Sequence, residues 1–541
     1  MFDNFTAVNS NFYTFPWDRK NGEGGPGDKY ESSVPRDPNF FQINTDFVFE
    51  GAMKMCFFGG HDFYTIGEFD EKQKTFVPHD PDRNMGSNPF DVGGLLYASQ
   101  TFTGKDNVKI TSSWVLEGDC DWTKSTYPPI CPAMDARGWL GVHSLPKIVT
   151  IEYLPPLPHA TVHTAPRKAL QFEPLPALAS LRTGKTESRI VTNKKETCLD
   201  SIDWHPGVMV HDLHPHVDMM NVANLTVAEC GQKCCDIEGC VAFVNIQSQL
   251  SPTGNCSQAN ATCCWLKPTV NMSRLHAVCP SCTSGILKNN NNDAVRMKMT
   301  STTFSLDLSF DISNNMEGAW NVYADVLLSE NGNEFTRVGV KSSKWMNNTE
   351  LVYVNDKQKK DSLCTAERTV KDYASCQKIC TSISNCLGWT VIPTSVEEED
   401  TVTSYQCTTR CDIVPLISVS SKDCSWGSEH DPIGSISGMV YRDEGVHFAM
   451  VYMNRRHASL ATSVDLLYPY AGLVRLVEDH VNVSVYVDKS IVEMFVQNGR
   501  VVLTGRVYPT LKDSYYIEVG ENGLVDGNGV NVTVWEMGSA F

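Results

Sequence analysis

The sequence predicts a mainly all-β protein, a β-sandwich interrupted by two small disulfide-rich α+β modules. Three observations carry this. Short aromatic or β-branched runs, punctuated by Gly, Asp, Asn and Pro, recur along residues 1–150 and 300–541. Two of these, 303–312 and 320–328, alternate apolar and polar residues with the period of two of a half-buried strand. The 20 cysteines are clustered: three before residue 150, ten between Cys198 and Cys282, seven between Cys364 and Cys424, and none from Ser425 onward. Dense clusters beside cysteine-free strands read as stapled modules set into a larger core.

The early strands are 45–49, 54–58, 62–67, 95–102 and 147–153. Their regular spacing fits a sandwich, a barrel or a propeller. Residues 154–166 hold Leu154-Pro155-Pro156-Leu157-Pro158 and are a stiff, extended linker candidate. A short segment, 168–195, then starts the sandwich. The first cysteine-rich module spans 196–285, sandwich strands return over 300–361, and the second module spans 362–428. Strand patterns resume at 438–441, 448–452, 481–487, 491–496, 501–507 and 515–519, within a last sandwich segment of 429–541. None of these groups buries its apolar face alone; together they supply two packed sheets.

Composition narrows the function. The 541 residues are 41% hydrophobic and 20% charged, enough for a packed core and too apolar for global disorder. The formal net charge of -18 repels phosphates and argues against a nucleic-acid partner. No run reaches the ~18 apolar residues of a membrane span.

Asn-x-Ser/Thr tripeptides occur at Asn4, Asn224, Asn255, Asn260, Asn271, Asn347, Asn482 and Asn531, four of them inside the first cysteine cluster. Such tripeptides among clustered cysteines point to the secretory pathway, with an extracellular, vacuolar or cell-wall destination and glycosylation at these asparagines. The odd seven of the second cluster requires at least one thiol to stay free or pair outside it. The start, Met1-Phe2-Asp3-Asn4-Phe5, has neither a basic nor an apolar leader region, so a signal peptide is read as absent from this chain.

Four segments in order carry a resemblance. They are His61-Asp62-Phe63-Tyr64-Thr65-Ile66-Gly67, then Asp91-Val92-Gly93-Gly94-Leu95-Leu96-Tyr97-Ala98-Ser99-Gln100-Thr101-Phe102, then Gly138-Trp139-Leu140-Gly141-Val142-His143-Ser144-Leu145-Pro146-Lys147, and last Val487-Asp488-Lys489-Ser490-Ile491-Val492-Glu493-Met494-Phe495 with Gly499-Arg500. Together they resemble glycoside hydrolase family 32, the β-fructofuranosidases, over roughly residues 30–185 and 300–541. The resemblance implies a five-bladed β-propeller followed by a β-sandwich. Residues 1–155 would then be a partial propeller beginning inside the third blade. It also implies retaining hydrolysis of β-fructosides, with sucrose or a fructan as the sugar partner and no metal or organic cofactor.

Retention requires two facing carboxyl groups. The family's nucleophile motif, Asn-Asp-Pro-Asn-Gly, does not occur here. Arg36-Asp37-Pro38-Asn39-Phe40-Phe41 reads two ways. By spacing it matches the family's Glu-Cys-Pro-Asp-Phe-Phe, which puts Arg36 at the acid/base position, where a guanidinium cannot serve as a proton donor. By letters it contains the family's Arg-Asp-Pro, which makes Asp37 the candidate catalytic residue. Asp91, Tyr97 and Trp114 are the candidate substrate-binding residues, with Tyr97 equally at home in a core. Glu117, Asp119 and Asp121 form an acidic loop that reads as a solvated turn or a substitute carboxylate. Asp488 and Glu493 read as strand polar groups at a domain interface or as catalytic carboxylates.

In the first module Cys230 and Cys234, and in the second Cys376 and Cys380, are spaced i, i+4 on a short amphipathic helix stapled to strands. Both segments resemble apple/PAN modules, whose partners are glycans or proteins; plain structural decoration is the other reading. His205, His211, His214 and His216 with Asp212 and Asp218 have metal-like density, and Cys279-Pro-Ser-Cys282 has zinc or redox spacing. A chance surface cluster and disulfides, respectively, account for both.

Overall fold

The computed structural model describes residues 36–56, 59–70, 72, 75–79, 90–93, 95–116, 141–155, 167–191, 202–208, 220–223, 225–236, 240, 242–247, 262–267, 278–287, 294–313, 320–342, 346–347, 367–370, 373–383, 386, 388–396, 402–410, 417–418, 436–439, 447–455, 457–460, 470–525 and 528–538. Most of them are in strands, as predicted. Two compact units divide the chain, one of Met1–Val191, Ala294–Ile392 and Cys407–Phe541, the other of Thr192–Asp293 and Pro393–Gln406.

Strands β1 (Arg36–Ile43), β2 (Asp46–Cys56), β3 (Gly59–Asp70) and β4 (Thr75–Pro78) form an antiparallel meander in that order. The expected strands 45–49 and 54–58 are one strand, β2, because the ladder to β3 continues through Gly51–Lys54 with no break. A second meander follows: β5 (Leu96–Thr103), β6 (Lys109–Val115), the two-residue β7 (Val142–His143) paired to β6, β8 (Lys147–Leu154) and β9 (Arg167–Pro174). Each meander has the four-stranded up-and-down form of a propeller blade.

The proline-rich segment is not the boundary it was expected to be. β9 lies beyond it and pairs with β8 from Lys147↔Pro174 to Leu154↔Arg167, so the segment falls between two paired strands of the second blade. The blade ends at a 3-10 helix, Pro176–Leu181, and the sandwich starts at β10 (Arg182–Val191).

The facing sides of the two blades supply one core: Phe41, Val48, Tyr64 and Ile66 from the first and Leu96, Val115, Val149, Leu170 and Phe172 from the second. Period-two alternation puts these residues on one face of each sheet. The Tyr64, Phe90 and Phe172 rings meet at centroid distances of 4.9–6.1 Å, and the Tyr64 hydroxyl accepts the Leu170 N–H at 3.0 Å.

The first cysteine-rich module contains β11 (Ile202–Val208), β12 (Met220–Ala223), helix α1 (Val227–Asp236), β13 (Ala242–Gln247), β14 (Thr262–Lys267) and β15 (Val278–Leu287). Its sheet order is β11-β15-β13-β14-β12. Thr226 caps α1: its hydroxyl accepts the Glu229 N–H at 3.2 Å, and Glu229 returns the bond to the Thr226 N–H at 2.8 Å.

After it come β16 (Val295–Lys298), β17 (Thr303–Asp311), β18 (Asn321–Leu328) and β19 (Thr336–Ser342). The second module follows with β20 (Met346–Asn347), β21 (Glu367–Val370), α2 (Tyr373–Ser382), β22 (Gly388–Val396) and β23 (Val402–Arg410). The short β24 (Ile417–Ser418) belongs to the sandwich, whereas β25 (Ile436–Met439) belongs to the module. Its sheet runs β20-β25-β22-β23-β21, so the module reaches from 346 to 439 and is wider than the expected 362–428. Flanking strands β20 and β25 pair with each other, which a cysteine-based boundary does not register.

The two modules are one design used twice. Each sheet repeats the same strand order relative to its helix. In each, the helix's first cysteine reaches the strand two further on (Cys230–Cys264, Cys376–Cys407), and its second closes a bridge six residues long (Cys234–Cys240, Cys380–Cys386). Three residues past the closing cysteine stands a fully buried aromatic residue, Phe243 or Trp389. No cysteine among the described residues is free.

The sandwich is completed by β26 (His447–Asn454), β27 (Tyr470–Leu476), β28 (His480–Asp488), β29 (Ile491–Val496), β30 (Val501–Arg506), β31 (Tyr516–Asn522) and β32 (Gly529–Met537). One sheet runs β10-β32-β17-β28-β29-β30 and the other β16-β31-β18-β19-β26-β27-β24. The core between them takes Phe304, Leu306, Leu308 and Phe310 from β17, and Val481, Val483, Val485 and Val487 from β28. That is every second residue, as the sequence alternation predicts.

Candidate functional site

Three aromatic side chains form one row across the second blade. Tyr97 on β5 is directly opposite Trp114 on β6, which in turn is directly opposite His143 on β7. Directly opposed residues of antiparallel strands share a face. Trp114 is 60% exposed, and its ring meets His143 edge-on at 6.1 Å. β5 bends immediately after Tyr97: Ala98 has φ 54° and the ladder slips before Gln100. Such a bulge re-aims the side chain beside it. The sequence singled out Tyr97 and Trp114, and the fold brings them together. It did not find His143, whose signal is its place in a two-residue strand inside a recognised motif.

An open aromatic row suits a sugar. The apolar C–H face of a sugar ring packs on aromatic carbon, and polar ring atoms orient it by exchanging hydrogen bonds with its hydroxyls. Asp37 lies in β1, and its side chain is outside the described residues, as are Glu117, Asp119, Asp121, His211, His214, His216, Asp212 and Asp218. Of the sequon asparagines, Asn4, Asn224, Asn255, Asn260 and Asn271 are outside too. Among the described residues no group of three or more His, Cys, Asp or Glu is arranged to hold a metal.

Asp91 departs from expectation. Rather than shaping an open cleft, it is buried against the sandwich, with Gly93 N–H donating to its Oδ1 at 2.6 Å. The Val92 N–H bonds to the Val502 carbonyl at 2.9 Å, and a Cβ on Gly93 would stand 2.2 Å from the Thr504 carbonyl. The Asp91–Gly93 loop is therefore a docking clip. Burial pushes Asp91 up to about 7, partly offset by Thr504, Lys147 and the Gly93 amide and reinforced by Glu493.

Glu493 is part of the same cluster. It accepts the Leu145 N–H at 2.6 Å and pairs with Lys147 Nζ at 2.9 Å. Asp488 accepts the Thr303 hydroxyl at 3.1 Å. Glu493 is thus a group at the contact of blade and sandwich, whereas Asp488 bonds the residue directly opposite it within one sandwich sheet.

Sequence reasoning missed Glu50. Its Oε1 accepts the Thr101 N–H at 2.8 Å and Asn39 Nδ2 at 2.5 Å, while Oε2 accepts the Thr101 hydroxyl at 2.8 Å. Burial pushes it up to about 7 against those hydrogen bonds, and nearby Asp62 adds to the rise. Asp62 accepts both the Ser99 N–H, at 2.6 Å, and the Ser99 hydroxyl. With Glu50 fully buried and Asp62 3% exposed, the pair clips blade to blade.

Two domain models of one family match the sequence where the row and the clip lie. The model described as Glycosyl hydrolases family 32 N-terminal domain matches residues 35–156, and Glycosyl hydrolases family 32 C terminal matches 446–536. Over these two segments the chain is similar to family 32 proteins. An Acid beta-fructofuranosidase of Vicia faba is 31% identical over 93 residues, 17% of this family 32-like chain and 13% of that protein. A Beta-fructofuranosidase, insoluble isoenzyme 2, of Oryza sativa subsp. indica is 30% identical over 95 residues, 17% and 14% of the respective lengths. Among solved structures, fructan 1-exohydrolase IIa from Cichorium intybus aligns at 13% identity and TM-score 0.40, covering 94% of this chain and 60% of that one. Exo-inulinase from Aspergillus awamori aligns at 13% identity and TM-score 0.42, covering 96% and 59%. The family 32-like chain thus spans about three-fifths of these structures' length, and the likeness is too loose to transfer a site.

Proposed function

We propose that this family 32-like chain recognises β-fructosides of the sucrose and fructan class on the Tyr97–Trp114–His143 row. Retaining hydrolysis accompanies recognition wherever two carboxyl groups face the bound sugar. The observation that carries the reading is the open row itself, inside the segment matched to the family's N-terminal domain. Asp37 is the carboxylate we assign to sugar hydroxyls. Arg36 stands where spacing puts the acid, so hydrolysis by this chain alone is slow.

The test is affinity electrophoresis of the purified chain in inulin-containing gels, with calorimetric titration of sucrose and 1-kestose. Wild type is expected to be retarded, and Trp114→Ala to bind at least tenfold more weakly. A mobility indifferent to inulin, together with no heat on titration, overturns the reading. Sustained release of reducing sugar that Asp37→Asn abolishes would place hydrolysis in this chain and overturn the slow-hydrolysis part.

A second reading makes the cysteine-rich modules the binding elements, for a glycan or a protein ligand, as their apple/PAN resemblance implies. Their repeated strand order and disulfide pattern favour it, because two like modules give two like sites. The secretory route belongs with either reading, since the modules need an oxidising compartment.

A further inference from the structure

We propose that Asn482 and Asn531 form a paired N-glycan site that closes the open face of the six-stranded sheet. The sequence marks both as acceptor tripeptides but does not connect them. The register does. Asn482 on β28 and Asn531 on β32 are the two Cα partners of one residue, Ser309, on the central strand β17. Their hydroxyl residues, Ser484 and Thr533, are likewise the two partners of Asp307. Both tripeptides therefore lie in the same two rows, on the same face, one strand apart.

That face is open where the two asparagines stand. Asn482 and Asn531 are exposed, while the residues flanking them (Val481, Val483, Val530, Val532) point into the core. Between and beside them are short polar side chains: Ser309, Asp307, Ser484 and Thr533. Next in the row beyond Asn531 is Arg189 on β10, also exposed. Farther along the same sheet the face is already covered, for Ile491 and Phe495 of β29 pack into the core shared with the blades. Two strand spacings put the asparagines about 10 Å apart, room for two glycan stems side by side.

The modification is a group transfer. A host transferase moves an oligosaccharide from a lipid-linked pyrophosphate donor to the asparagine amide nitrogen. The sugar C1–N bond forms as its C1–O bond to pyrophosphate breaks; the amide gives up one proton, and the lipid pyrophosphate leaves. The ladder of β28, β17 and β32 closes afterwards with both stems projecting to solvent, since neither asparagine side chain is needed inside. The two glycans then overhang Asp307 and Ser309, and this part of the sandwich receives no protein partner.

The full chain, expressed behind a cleavable secretory leader in a glycosylating eukaryotic cell, tests this by glycopeptide mass spectrometry on the whole-cell and exported pools. Both peptides are expected to be occupied on the same molecule. Asn482→Gln and Asn531→Gln should each remove one glycan-sized mass step, and the double variant two. Carbodiimide labelling of Asp307, whose side chain is 33% exposed, should rise at least threefold when both glycans are absent. The same labelling after enzymatic deglycosylation of wild type covers a variant that folds poorly. An unmodified Asn482 or Asn531 in either pool overturns the proposal, and unchanged Asp307 labelling overturns the closed face.

Discussion

Lys147 of the second blade and Glu493 of the sandwich form an ion pair at 2.9 Å with side chains only 3% and 2% exposed. Removing one partner leaves the other charge dry, a loss of about 3–5 kcal/mol, whereas replacing both with apolar groups of similar volume is near neutral. Glu493→Gln should therefore lower the urea midpoint sharply, and Lys147→Met with Glu493→Leu should recover most of the loss. Equal losses for the single and double variants would show that the pair is not what joins these elements.

Arg500 makes a second joint. Its guanidinium bonds Glu152 of β8 in parallel, Nε to Oε2 at 2.9 Å and Nη2 to Oε1 at 2.5 Å, and reaches Glu478 at 2.9 Å. These two carboxylates outweigh burial and hold Arg500 above its ordinary range. The turn before it requires glycine: Gly499 has φ +84° and a Cβ there would meet the Phe172 carbonyl at 1.9 Å. Arg500→Lys keeps the charge but not the fork, so it should destabilise measurably, by about 1–3 kcal/mol in chemical denaturation. Gly499→Ala should cost at least as much, because it must open the Gly499–Phe172 backbone contact.

Stability should peak on the acid side of neutrality. Glu50 and Asp91 are each raised by burial to about 7, from ordinary values of 4.5 and 3.8. A raised carboxyl contributes fully below its unfolded value and loses that contribution as pH climbs through its folded value. Asp46 opposes them. Burial would raise it, but hydrogen bonds from Lys168 at 2.7 Å and His79 at 2.8 Å win and hold it low. Its contribution is present above 3.8 and lost as pH falls through its lowered value. The thermal midpoint should therefore be higher at pH 5 than at pH 8, and should drop again below about 3.8. Glu50→Gln should flatten the alkaline limb, and a midpoint unchanged from pH 5 to 8 would contradict both raised carboxyls.

Much of the fold was legible because strands announce themselves by alternation. Val481–Val487 and Phe304–Phe310 bury every second residue, and the pattern is plain in the letters. The helices with Cys230/Cys234 and Cys376/Cys380 were legible from spacing alone. Pairing between distant segments was not. Nothing local in Arg167–Pro174 says that it pairs with β8 across the proline-rich segment to complete a blade, and nothing in Met346–Asn347 says that it pairs with Ile436 and Ser437. The site divides in the same way. Tyr97 and Trp114 were found as motif letters, but Asp91 was misplaced, because a motif does not say which neighbour covers it. Glu50 went unnoticed because its partners, Asn39 and Thr101, come from different blades.

In the repeated module the lengths of chain that the bridges close decide how much each bridge stabilises. Cys376–Cys407 spans 31 residues and Cys380–Cys386 spans 6, while the first module's bridges span 34 and 6. A bridge stabilises in part by restricting the unfolded chain, and the restriction grows with the logarithm of the loop. Replacing both cysteines of the long bridge by serine should therefore destabilise each module by about 1–2 kcal/mol more than the same change at its short bridge. The buried aromatic residue beside each short bridge sets the scale: Trp389→Ala should cost about 3–5 kcal/mol through the cavity it leaves. Hydrogen exchange read separately on β13, β22 and β28 is the measurement, because a module that opens locally loses protection in β13 or β22 and keeps it in the sandwich. If the short-bridge variants proved the more damaging in both modules, the bridges would act by holding the helix to its sheet in the folded state rather than by restricting the unfolded chain.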